Sequence, residues 1–343
     1  MKNLLLILIG LCLIVAACSK KESETFDHFF FRNDGADLFV EVNGNIASKT
    51  FLLFLHGGPG GGGTAYNSGY YADELEKEYA MVYMDQRGNG ASTGNYDKGT
   101  LTLAQNSDDI YQLTRFLKAK YGQDISLFLA GHSWGGLTTC HALVTTDIQQ
   151  EIKGWIEIDG AHDFVLNDRE SIKLFKVLAT IEIATKNNLE FWTPVLERVN
   201  EMDTLAPSVE DAGYLNAKAF EAESYLPIEY PELPDSGLPY TSLNAPNSGM
   251  SIWFANLVVN PILNADSYEN PLTDRLDEIS VPSLFLWGKY DLVVPPALGV
   301  SAYNLVNTTE KELVIFENSG HSPMSNEPEL FVQEVKKFVE LYK

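Results

Sequence analysis

The chain has 343 residues, 45% of them apolar, which allows a large core and is long for one domain but short for three. Its formal net charge of −23 gives a surface that repels nucleic acid and favours cationic ligands or simple solubility. Two of its three cysteines lie within the first 18 residues, which excludes a disulfide-stapled scaffold.

The chain opens MKNLLLILIGLCLIVAACSKK: basic Lys2, an apolar run from Leu4 to Ala17, then a cysteine. Such a run is too short for a stop-transfer helix and reads as a secretory signal. The ending Val15-Ala16-Ala17-Cys18 resembles a bacterial lipobox. That resemblance implies cleavage before Cys18 and a lipid on its sulfur. Residues 1–17 are then a signal peptide and 18–25 a polar tether. The mature protein is expected to be an exported lipoprotein, anchored to a membrane and facing the periplasm or the cell exterior. A plain signal peptide cut elsewhere is the alternative. Cys140 is left as the mature domain's lone cysteine, expected as a buried small hydrophobe.

Phe26 to Asn33 and Ala36 to Val42 are strand-like, with Asp34-Gly35 between them as a hairpin turn. Lys49 to Leu55 and Tyr79 to Met84 are further strands. Leu103 to Tyr121 is helical, since Ile110, Leu113, Phe116 and Leu117 recur at 3–4 spacing, and Gly122 closes it. A strand over Ile125 to Ala130, a helix over Gly135 to Thr146 and a strand over Gly154 to Ile158 follow. The alternation stops between Ala161 and Pro271, where helical pieces are broken by prolines. It resumes with the strand Ser283 to Trp287, a helix near Pro296 to Val306, the strand Glu312 to Phe316 and a last helix over Glu327 to Tyr342. The pattern predicts an α/β fold: a doubly wound, mostly parallel sheet formed by 26–160 and 272–343, with a mainly helical cap over 161–271. From Val199 to Asn270 the insert holds eleven Asp/Glu against one basic residue, Lys218.

After the strand ending at Leu55 comes His56-Gly57-Gly58-Pro59-Gly60-Gly61-Gly62-Gly63. Gly58, Gly60 and Gly63 spell the dinucleotide fingerprint G-x-G-x-x-G, and Asp85 lies 22 residues further on. That fingerprint needs a helix directly after its third glycine. Here Asn67, Ser68 and Gly69 break any early apolar face. No P-loop lysine and no H-E-x-x-H spacing occurs, so neither cofactor nor metal is expected.

Gly131-His132-Ser133-Trp134-Gly135 matches G-x-S-x-G between a strand and a helix, the context of a nucleophile elbow. A serine hydroxyl needs a histidine base and a carboxylate to orient it. Asp291 and His321 both follow strands, in the chain order this fold uses, where sites of open sheets collect. Asp159 and Asp163, after another strand, are rival acids. Histidines 28, 56, 132, 141 and 162 are read as structural. The N–H of Trp134, at a helix start, is suited to an oxyanion.

HGGPG at 56–60, DQRGNGAS at 85–92, DDIYQLTRFL at 108–117, GHSWGG at 131–136, GKYDLVVPP at 288–296 and SGHSPMSNEPE at 319–329 together resemble an α/β-hydrolase, and within that fold the proline iminopeptidase branch of serine peptidases. The likeness covers 26–160 and 272–343. It implies a Ser133–Asp291–His321 triad, and it implies that Gly58 supplies a second oxyanion N–H. Two departures stand out. Iminopeptidases more typically read GGSWG, and their W-x-x-W-E pattern, which carries a glutamate for the substrate amine, has no match in the insert. The resemblance therefore carries the catalytic machinery and not proline specificity.

The expected function is a serine hydrolase working through an acyl-enzyme, an aminopeptidase acting on peptide N-termini. The acidic cap would attract the α-amine, with Glu197, Glu201, Glu221, Glu223, Glu229 and Glu232 as pairing candidates and Trp253 as a further substrate contact. For each glutamate the alternative is a solvated acidic surface. A carboxylesterase or lipase-like hydrolase with the same triad is a second reading, and a non-catalytic ligand-binding lipoprotein a third. The expected partner is a small peptide or ester.

Overall fold

The computed structural model describes residues 26–231 and 254–343. Cys18 and the signal, Trp253 and Glu232 lie outside the described residues. No helix among the described residues is long and apolar enough to cross a membrane.

The strands are β1 (Phe26–Asn33), β2 (Ala36–Gly44), β3 (Thr50–Leu55), β4 (Ala80–Met84), the two-residue β5 (Thr93–Gly94), β6 (Ser126–His132), β7 (Gly154–Ile158), β8 (Ser283–Gly288) and β9 (Lys311–Phe316). They form one sheet in the order β1-β2-β4-β3-β6-β7-β8-β9, with β5 paired to β2. Every pairing from β4 to β9 is parallel, and β2 is antiparallel to its neighbours. The helices of the sheet layers are α1 (Tyr70–Glu76), α2 (Leu103–Tyr121), α3 (Trp134–Thr145), α8 (Pro296–Leu305), the short α9 (Pro323–Asn326) and α10 (Pro328–Tyr342). Those of the β7–β8 connection are α4 (Phe164–Ala184), α5 (Leu189–Asn200), α6 (Val209–Ala222) and α7 (Asn260–Glu269).

The central strands read as unbroken apolar runs because helices cover both faces of the sheet. In β3 all six residues are buried. Phe51, Leu53 and Leu55 join the core cluster that includes Ile110, Leu113 and Leu137 of α2 and α3, while Leu52 and Phe54 join Leu75, Phe331 and Val335 of α1 and α10. Each such fully buried side chain contributes about 1.5–3 kcal/mol. In α2, Thr102 caps the first turn by accepting from the Gln105 N–H at 3.1 Å, and Gly122 closes the last. Phe116, expected on the core face of α2, is 37% exposed and packs instead against Phe29 and Phe31 of β1.

Ile172, Phe175, Trp192, Val195, Val199 and Leu215 from α4, α5 and α6 build a third, separate cluster. Leu292, from the loop after β8, belongs to it. Ser171 and Asn167 of α4 donate to the carbonyls of Leu292 (2.9 Å) and Val293 (3.0 Å). The helical connection thus rests on the loop that carries Asp291.

Candidate active site

Ser133 sits between β6 and α3 with φ 57°, a strained left-handed turn that presents its side chain at the sheet's carboxyl edge. The turn closes only because its flanks lack side chains. A Cβ on Gly135 would lie 2.3 Å from the Leu55 carbonyl oxygen, and one on Gly131 2.3 Å from that of Gly135. The Ser133 N–H donates to the Ile158 carbonyl (2.9 Å), and its carbonyl accepts from Ala161 (3.0 Å). The elbow is therefore pinned to the end of β7.

His321 follows β9 and is 4% exposed. Its Nε2 lies 2.9 Å from Ser133 Oγ and its Nδ1 2.8 Å from Asp291 Oδ2. Asp291 is fully buried, and its Oδ1 accepts from the backbone N–H groups of Val293 and Val294, both at 2.8 Å. Its orientation is set by backbone, leaving the other oxygen to the imidazole. Trp134 heads α3, so its N–H has no acceptor within the helix. Its buried indole donates to Ser267 Oγ of α7 at 3.2 Å.

The glycine loop passes directly beside the serine: a Cβ on Gly57 would come 3.0 Å from Ser133 Cβ. The Gly57 N–H donates to Tyr66 Oη (3.0 Å), while Gly58 is exposed. Tyr66 Oη lies 2.8 Å from His132 Nδ1, and His132 Nε2 lies 2.7 Å from the His321 carbonyl oxygen. Burial pushes the His132 imidazole down to about 3, so it is neutral at ordinary pH. Only one proton arrangement satisfies every partner: Tyr66 donates to Nδ1, and Nε2–H donates to the carbonyl. A hydrogen-bonded chain therefore joins the glycine loop to the backbone of His321.

After Gly63 comes a single 3-10 turn, Gly63–Tyr66, and α1 begins only at Tyr70. Asp85 is buried, accepting from the Gly63 N–H and the Ala91 N–H, both at 2.6 Å. It ties the two glycine-bearing turns together, and no ribose could reach it. The later glycines serve packing. A Cβ on Gly63 would sit 2.7 Å from the Met84 carbonyl oxygen, and one on Gly61 2.6 Å from that of Gly57.

Of the five cap glutamates among the described residues, the structure brings Glu223 to the serine–histidine pair. Its Oε1 accepts from the His321 backbone N–H at 2.7 Å, and Tyr230 Oη approaches Oε2 at 3.4 Å. Burial, then the nearby Asp291, raises its carboxyl above the usual range. Phe220 lies edge-on to the His321 ring, with centroids 6.0 Å apart. Glu197 and Glu201 are exposed, and Glu221, also exposed, pairs with Lys218 at 2.6 Å. Glu229 is exposed too, with its backbone N–H bound to the Asn318 carbonyl.

Asp159 enters the same site from the end of β7. It is fully buried, with φ 43°, and its Oδ1 accepts from the Gly288 N–H at 2.9 Å. Burial and the adjacent Asp291 push its carboxyl well above the usual range. Among the described residues, His132, Asp159 and His321 bring one possible metal-ligand atom each within 4.8 Å of one another. Both nitrogens of each ring are already hydrogen-bonded to protein, so this donor set is organised as a hydrogen-bond network. Asp163, the other rival acid, caps α4 by accepting from the Leu166 N–H at 2.9 Å.

Residues 52–334 match the family described as "Alpha/beta hydrolase family". The chain is 27% identical to "Probable aminopeptidase YbaC" of Bacillus subtilis, over 86% of this chain and 91% of that protein. It is 25% identical to the proline iminopeptidase of Saccharolobus solfataricus, over 89% and 90%. Among solved structures, an esterase from Rhodococcus sp. ECU1013 superposes with a TM-score of 0.59 at 19% identity, covering 93% of this chain and all of that one.

Proposed function

Because this chain belongs to the alpha/beta hydrolase family and is a hydrolase resembling proline iminopeptidases, we propose that Ser133, His321 and Asp291 are its catalytic triad and that it is an aminopeptidase cleaving residues from peptide N-termini. The observation that carries the triad is the unbroken line Asp291–His321–Ser133 at 2.8 and 2.9 Å. Ser133 Oγ attacks the scissile carbonyl while His321 Nε2 takes its proton. Asp291 holds the ring in the tautomer with the proton on Nδ1 and stabilises the imidazolium. The N–H groups of Gly58 and Trp134 receive the oxyanion, and His321 returns its proton to the leaving amine. Water then hydrolyses the acyl-enzyme with the same histidine as base. A donor to the oxyanion is worth about 10²–10³ in rate.

Glu223 supports the peptide reading. It is a half-buried carboxylate from the cap, held against the histidine, where it can pair with a substrate α-amine. A panel of aminoacyl-β-naphthylamides tests this. Free-amine substrates should be cleaved, and Glu223→Gln should raise their KM. Equal turnover of acetyl-blocked substrates would sink the aminopeptidase reading and favour an esterase, for which the Phe220 ring beside His321 offers an apolar acyl contact.

Cys18 is proposed as the lipid-bearing residue. A palmitate analogue should label wild type and not Cys18→Ala, and the variant should leave the membrane fraction.

A further inference from the structure

Four neighbouring strands each place one residue of the site at their carboxyl ends. Ser133 follows β6, Asp159 follows β7, Asp291 follows β8 and His321 follows β9. The triad uses three of the four. Asp159 lies between the elbow strand and the strand of the orienting acid, fully buried, with its backbone in the left-handed region. Its N–H donates to the Leu286 carbonyl at 3.0 Å, which fixes it against β8. Its Oδ1 accepts one backbone N–H, while its Oδ2 is buried, receives no donor among the described residues, and belongs to a side chain in contact with Asp291.

Two ionised carboxylates cannot share such a place without water or a cation between them. The groups facing Asp159 are Asp291, His321, the neutral His132 and Glu223 from the cap, and none is a permanent cation. A proton on Oδ2 resolves both problems at once: it removes one charge and turns an orphan acceptor into a donor.

We propose that Asp159 and Asp291 form a carboxyl–carboxylate pair carrying a single negative charge, in which Asp159 is a positioning residue that donates its O–H to Asp291. This rests on the triad proposed above. In the pair Asp291 keeps the charge, because it alone also accepts two backbone N–H groups and the imidazole. If Asp291 is made neutral, Asp159 loses its negative neighbour, releases its proton to solvent and becomes the charge beside His321.

The test compares full-length wild type with D159N, D291N, D159N/D291N and S133A, using p-nitrophenyl acetate from about pH 5 to about pH 9 with thermal melting as a folding control. D159N should stay within about threefold of wild type, because the carboxamide N–H replaces the O–H donor. D291N should fall by on the order of 10³–10⁴ but keep a residual rate that rises with pH. D159N/D291N should lose at least about tenfold more and lose that rise. Infrared difference spectra should show a protonated-carboxyl carbonyl band in wild type that D159N lacks. Equal residual rates for D291N and the double variant at every pH would overturn the proposal. So would a hundredfold loss in D159N at unchanged melting temperature, or the absence of the infrared band. Retained turnover in S133A would instead remove the triad itself, and the pair's catalytic role with it.

Discussion

Ser133 faces a histidine that is itself held from several sides. The histidine that faces it is held on one side by Asp291 and, through its own backbone, by His132 and Glu223. Tyr66 is the link between that histidine loop and the glycine loop. Tyr66→Phe removes the acceptor for the Gly57 N–H and the donor to His132. We expect kcat to fall by about tenfold with little change in KM, as for a site held less tightly, and steady-state kinetics check it. Glu76 gives a stability prediction. Burial pushes its carboxyl up to about 7, against a hydrogen bond from Tyr83. A raised acid binds its proton more tightly in the folded chain. Its stabilising contribution is complete below an unfolded value near 4.5 and is lost as the pH rises through about 7. The melting-temperature gap between Glu76→Gln and wild type should therefore shift in the variant's favour from pH 5 to pH 8.

The turn after β4 shows how loops are locked to helices. Arg87 and Asp109 of α2 are both fully buried and paired at 2.7 and 2.9 Å, with the Asn33 side chain also on Asp109. Arg87 further donates to the carbonyls of Asn33 and Asp34, so one guanidinium joins the β1–β2 hairpin, the β4 turn and α2. Asp109→Ala leaves that cation buried and unpaired. The expected loss is about 3–5 kcal/mol, read by denaturant unfolding. The pair orders the loop that also carries Asp85, and Asp85 in turn holds Gly63. A secondary loss of activity should accompany the loss of stability.

Across the whole molecule the charge is −23, with much of it in the connection over the site. A field of that sign concentrates cationic substrates, and it is screened over about 10 Å at 0.1 M salt. Raising the salt from about 0.02 M to about 0.5 M should lower kcat/KM for free-amine substrates several-fold and leave neutral esters nearly unchanged. Equal salt dependence for the two classes would remove the electrostatic part of the aminopeptidase reading.

Much of the sheet was legible in the chain because a parallel strand covered on both faces is built of apolar residues, as Phe51–Leu55 and Leu284–Trp287 are, and because α2, α3 and α10 are long enough to show a helical pattern between or after the strands. Even α2 keeps the bounds that its spacing and Gly122 indicate. The short helix α1 and the two-residue β5 were not legible, since neither is long enough to show a period. The serine elbow was legible for a similar reason: its strand, turn and helix are adjacent in the chain. The spelling of G-x-G-x-x-G was misleading until the lack of a following helix was weighed, and its third glycine, Gly63, turns out to pack on the Met84 backbone. Local pattern put Asp291 ahead of Asp159 but left the second a rival, because both follow buried strands. The order of β6, β7, β8 and β9 in the sheet is what sets one against the imidazole and the other behind it. Nor could it single out Glu223 among six glutamates, 98 residues from the histidine it touches. Periodicity reports which face of an element is buried. Which buried or half-buried groups meet is decided by strand order and by how the cap rests on the sheet, and neither is encoded in nearest-neighbour spacing.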